Sequence, residues 1–150
     1  MMLSQLKSIQ NNGGYTLCAG KNGFLFVSHE RGIAPIMKQL EKDSRYFSDC
    51  IIVDRVIGKA AAMLYHRSRV AYIHARLMSE AAYNYLSAHH IAFSYEALCP
   101  YIINRTQTGM CPMEECVKDT EDYESAYIAL KETLSSLRSK ALDKEGKTYE

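Results

Sequence analysis

The stretch Asp54-Arg55-Val56-Ile57-Gly58-Lys59-Ala60-Ala61-Ala62-Met63-Leu64 constrains the fold more than any other part of this chain. It reads as a buried, alanine-rich helix over about 58–67, whose small side chains let it approach a sheet closely. An apolar run at 50–53 precedes it, as a short strand or buried extended chain. A second apolar run at 70–75 follows and reads as a buried strand. The helix opens on Gly58-Lys59. A cation in the first turn opposes the helix dipole, and Ser or Asp is the usual residue at the start. A positive group beside free backbone N–H donors suits a bound anion instead.

The flanking segments extend the pattern. Leu3, Leu6 and Ile9 place a first helix over 1–10, ended by Asn11-Asn12-Gly13-Gly14. Runs at 15–19 and 24–28, joined through Gly20-Lys21-Asn22-Gly23, predict a hairpin. Ile33, Ile36, Met37 and Leu40 mark an amphipathic helix with Pro35 near its start. Ser79 caps a helix to about 89, and 91–95 alternates like a strand. Pro112 opens a further helix, and a last one runs over 123–138 on Tyr127, Leu130, Leu134 and Leu137. A polar tail at 143–150 is expected to fray. A hairpin followed by helices alternating with single strands predicts an α/β layer fold with helices on both faces of one sheet.

The length of 150 residues fits one domain spanning 1–150. A net charge of +1 gives no basic surface for wrapping nucleic acid, and the 11 tyrosines are spread over several elements rather than aligned for base stacking. No apolar run approaches the ~20 residues of a membrane span. The five cysteines form no disulfide framework, and the N-terminus lacks a secretory pattern. The expectation is a cytoplasmic protein with reduced thiols, no nucleic-acid or membrane partner, a small-molecule ligand and scope for a homo-oligomer.

The element order, with Asp54-x-x-x-Gly58-Lys59-Ala60-Ala61-Ala62 and the later Asn104-Arg105 and Cys111-Pro112-Met113-Glu114, resembles an uncharacterised bacterial family with a cytidine-deaminase-like fold. The resemblance covers about 15–138. It implies a three-layer α/β/α sandwich around a mixed sheet of four to five strands. Zinc deaminases place H-x-E at one helix start and P-C-x-x-C at the next. Here those starts hold Gly58-Lys59-Ala60 and Met78-Ser79-Glu80-Ala81-Ala82. Neither zinc chemistry nor any metal or cofactor is expected, and fold alone carries no activity across that loss.

The candidate ligand-binding residues are Asp54, Gly58, Lys59, Asn104 and Arg105, with Lys59 as counter-charge to a phosphate or carboxylate and Arg105 able to fork onto the same group. If the chain is an enzyme, Cys111 is the nucleophile, Glu114 the acid or base and Lys59 the charge stabiliser. The structural reading of the same residues is a capping box in which Glu114 reaches back to the Cys111 N–H. Two functions follow. One is a zinc-independent pocket, binding or catalytic, for a small anionic and nucleotide-like ligand. The other is a non-catalytic interaction or sensor module that kept the fold.

Overall fold

The computed structural model describes residues 1–104 and 106–145, with only the backbone of 141–145. Helix α1 (Leu3–Gly13) leads into the hairpin β1 (Leu17–Lys21) and β2 (Phe24–Ser28). Then come α2 (Ala34–Lys42), β3 (Ile51–Ile57), α3 (Lys59–Arg67), β4 (Tyr72–Ser79), α4 (Glu80–Ala88), β5 (Phe93–Cys99), α5 (Pro112–Val117) and α6 (Tyr123–Glu145). The five strands form one mixed sheet in the order β2-β1-β3-β4-β5. β1 is antiparallel to both β2 and β3, whereas β3, β4 and β5 run parallel. The α/β class, the mixed sheet and the five strands agree with the expectation.

Two apolar cores lie on opposite faces. On one, Leu6 of α1 meets Cys18 and Val53. On the other, Ile52, Ile57, Ile73, Ala75 and Met78 of the sheet join Ala60–Tyr65 of α3 and Leu86 of α4. Helices α5 and α6 close over the far side of α3. That is why α3 is apolar all round: every residue from Lys59 to Tyr65 is buried, between the sheet beneath and two helices above.

The boundaries differ from expectation in one consistent way. Each parallel strand runs on past its apolar run, from Val53 to Ile57, from Ala75 to Ser79 and from Tyr95 to Cys99. The cause is a row of charged residues across the three strands, Arg55, Arg76 and Glu96, flanked by the register pairs Asp54–Ala75–Tyr95 and Val56–Leu77–Ala97. Charge breaks the apolar pattern while the ladder continues. In the hairpin, Gly20 lies in β1 rather than in the turn, and a Cβ there would meet Leu6. The expected helix end at 10 moves to Gly13, where Gly14 caps α1 at φ 64°. The tail beyond 145 lies outside the described residues.

Candidate functional site

The helix start singled out in the sequence is occupied from within the chain. The Glu114 carboxylate of α5 accepts the backbone N–H of Lys59 through Oε1 (2.7 Å) and that of Ala60 through Oε2 (3.0 Å). A carboxylate therefore caps the positive end of α3 from another helix. The Lys59 ammonium reaches in the opposite direction. It donates to the carbonyl of Lys118, the C-cap of α5 (3.1 Å), and to Glu121 Oε2 (2.6 Å). The two helices thus cap each other, α5 supplying an anion to the start of α3 and α3 a cation to the end of α5. This reciprocal clasp explains the lysine in the first turn: two carboxylates offset its conflict with the dipole. Burial pushes the Glu114 carboxyl above its ordinary range, against the two amides and Lys59, which pull it down.

Three of the expected site residues, Gly58, Lys59 and Glu114, are brought together by direct contact, whereas Asp54 and Asn104 are engaged elsewhere. Asp54 is buried between β3 and α3, where Tyr65 Oη donates to its Oδ2 at 2.6 Å. Burial raises its carboxyl to about 7 from an ordinary 3.8, against the hydrogen bond from Tyr65 and those from the backbone of Val56 and Arg55. Asn104 folds its own loop, its Oδ1 accepting from Thr108 N (3.0 Å) and Thr106 Oγ1 (3.1 Å). Arg105 lies outside the described residues. Cys111 is half-buried at the N-cap of α5 with no side-chain cap bond, and its N–H donates to Ile102 O (2.8 Å). The capping box expected there is therefore corrected: Glu114 caps α3 instead. Nearby Cys99 has its thiol pushed up by burial and then by the Glu80 and Glu114 carboxylates, which disfavours a thiolate.

Sequence reasoning passed over a different constellation at the opposite end of the parallel strands. A cavity of about 180 Å³ is lined by Ser44, Arg45, Arg67, Ser68, Arg69 and Glu124, with Tyr123. Its walls are the loop before β3, the end of α3 and the first turn of α6. Arg67 donates from Nε to Glu124 Oε1 (3.0 Å), and its guanidinium carbon lies 3.9 Å from the Tyr127 ring centre. Its Nη1 is buried without a hydrogen-bond partner. Arg45 and Arg69 are exposed. The only early signal was Arg67-Ser68-Arg69 itself, because Arg45 and Glu124 arrive from distant loops. A second cavity of similar volume lies between β2 and α2, and there Lys38 is already bonded to Glu30 at 2.8 Å.

A mixed five-stranded sheet with helices packed on both faces, the start of α3 clasped by α5, defines an α/β domain of the layered kind. The chain belongs to the family described as a domain of unknown function, DUF1893 (TM1506), whose model matches residues 5–134. The fold is similar to the crystal structure of a DUF1893 family protein (TM1506) from Thermotoga maritima. The TM-score is 0.77 at 24% identity, covering 89% of this chain and 88% of that one. Among curated proteins, none matches the sequence. No helix of the described residues is long and apolar enough to cross a membrane.

Proposed function

We propose that this domain binds a small anion-bearing molecule, a phosphate monoester or a free carboxylate in size and charge, in the cavity of Arg45, Arg67 and Arg69. The observation that carries this reading is a cavity lined by three arginines and one glutamate, one of its wall residues, Arg67, having Nη1 buried and without a hydrogen-bond partner. A buried donor without an acceptor costs about 1–3 kcal/mol, and a ligand oxygen would remove that cost. Guanidinium forks match the paired oxygens of phosphate and carboxylate. The volume suits one such group with a small body, and the positive end of α6 adds to the same field. At the clasp, by contrast, the Glu114 carboxylate already takes the place such an anion would fill. The deaminase-like reading of the scaffold belongs to the same proposal. Its support is the antiparallel pair leading into parallel strand–helix units, with α3 and α4 opening directly after β3 and β4.

The test is calorimetry with inorganic phosphate, sugar phosphates and nucleoside monophosphates. Saturable binding that is lost in Arg45→Ala/Arg69→Ala, with an unchanged melting temperature for the free protein, supports the site. Absence of binding by all three probes, or binding that survives the double substitution, overturns it.

A further inference from the structure

Between Ala81 and Ile103, Glu96 is the single Asp, Glu, Lys or Arg, although 23% of the whole chain is charged. This segment holds α4, the edge strand β5 and the residues after it. The outer side of α4 is exposed through Ala81, Tyr83, Asn84, Ser87 and Ala88, where a solvated helix face normally carries charge. Tyr95, Ala97 and Leu98 of β5 are exposed, and so are Tyr101 and Ile103 beyond it. The one charge is neutralised within the chain. Glu96 accepts from Arg76 (2.6 Å) and His74 (2.8 Å), and Lys7 stands 3.5 Å away. Natural sheet edges are guarded by charge, proline or a cover; along β5 the one charge is this paired Glu96, the one proline, Pro100, follows the strand, and no other described strand pairs with its outer side.

The backbone adds a direction. Ile73 N–H donates to Ala92 O (3.1 Å), so the peptide groups of Ala92 face β4. Alternation then turns those of Phe93, Tyr95 and Ala97 away from the sheet, toward an edge with which no other described strand pairs. We infer that this edge pairs with β5 of a second copy of the chain, antiparallel about a twofold axis at Tyr95. An isologous pair closes both edges at once, whereas a head-to-tail contact would leave one open at each end. In this register Phe93 faces the second copy's Ala97, an aromatic against a small residue. Glu96 faces the second copy's Ser94, so the two carboxylates avoid each other. Tyr83 and Tyr95, already packed edge to face at 5.8 Å, gain the same ring pair from across the axis. A partner bearing charge would have it desolvated against an uncharged surface, but a second copy brings the same uncharged surface. The other edge, β2, is shorter and flanked by Lys21, Glu30 and Lys38.

Sedimentation of the full chain over a range of concentrations tests this. The wild type is expected to reach twice the 17.0 kDa chain mass. Ala97→Lys and Tyr95→Lys are expected to stay at one chain mass with an unchanged circular dichroism spectrum, and Leu25→Lys on β2 to dimerise as the wild type does. Should the edge variants fail to fold, hydrogen exchange of the wild type replaces them. The Tyr95 and Ala97 amides are then expected to gain protection as concentration rises. A wild type that remains one chain mass throughout overturns the inference. So does a dimer that persists in folded Ala97→Lys, or exchange at Tyr95 and Ala97 that ignores concentration.

Discussion

Gly58 has an ordinary extended backbone, φ −98° and ψ −177°, so its conformation demands nothing of glycine. Space does. A Cβ at this position would stand 2.4 Å from Glu114 Cδ and 2.5 Å from both carboxylate oxygens. Gly58→Ala must therefore push Glu114 off the amides of Lys59 and Ala60. A loss of about 1–3 kcal/mol in urea unfolding is expected, and most of it should vanish in a Glu114→Ala background, because the two substitutions break the same contact. Full additivity would show that Gly58 and Glu114 act separately. Asp54 makes a different residue-scale case. Its folded pKa of about 7 stands above the ordinary 3.8, because burial favours the neutral acid. Stability from this group is thus complete below the unfolded pKa and is lost as pH rises through about 7. Asp54→Asn, still able to accept from Tyr65, should flatten the melting temperature across that window and exceed the wild type above it. A wild-type profile that climbs with pH there would refute this assignment. Gly58, Lys59 and Glu114 were legible as one neighbourhood from two short motifs. Their purpose was not, since an anion site and a helix clasp ask for the same charges, and the choice between them rests on where Glu114 reaches from a distant helix.

At the scale of elements, α1 is tied to the parallel strands through one ion network. Arg76 donates to Gln10 (2.8 Å) and Asn11 (3.1 Å) of α1 while holding Glu96 of β5, which also accepts from His74. A carboxylate only accepts, so His74 Nε2 is the donor and its Nδ1 meets the Ser94 hydroxyl at 2.6 Å. The hydrogen bond from His74, ahead of those from Arg76, draws the Glu96 carboxyl down to about 2. Its contribution is present above the unfolded carboxylate range and is lost as pH falls toward about 2, the opposite sense to Asp54. The side chain is 44% exposed, so solvent screens the network, and Glu96→Gln should cost no more than about 1 kcal/mol at neutral pH. The chemical shifts of Leu6 and Ile9 should report the loosening of α1. Unmoved α1 resonances in Glu96→Gln would leave the network without that role. The same charged row explains why apolar runs placed all three parallel strands yet ended each of them early. Run length registers burial on both faces, whereas these strands continue with one face open beside α1.

Over the whole molecule, the layering sets where the fold is held and where it gives. Helix α3 has the sheet on one side and α5 with α6 on the other, and Ala60, Ala62, Met63, Leu64 and Tyr65 are fully excluded from solvent. Its alanines admit close approach on both sides. This could be read from composition on the sheet side alone, because α5 and α6 return to cover it from far along the chain. Opening α3 to solvent therefore requires separating both layers, which amounts to global unfolding, whereas α1 packs mainly on β1 and β3 of its own face and is otherwise tied by the Arg76 and Lys7 network. Native-state hydrogen exchange should find the amides of Met63, Leu64 and Tyr65 exchanging with the full unfolding free energy and the full denaturant dependence. The amides of α1 should exchange through smaller, weakly denaturant-dependent openings. Lys59→Met, which removes the hold on Lys118 and Glu121 but keeps the Glu114 cap, should lower protection of α5 first and leave mid-α3 at the global limit. Equal losses in α5 and α3 would mean that clasp and core open as one unit. Mid-α3 amides exchanging faster than those of β3 would overturn the layered account.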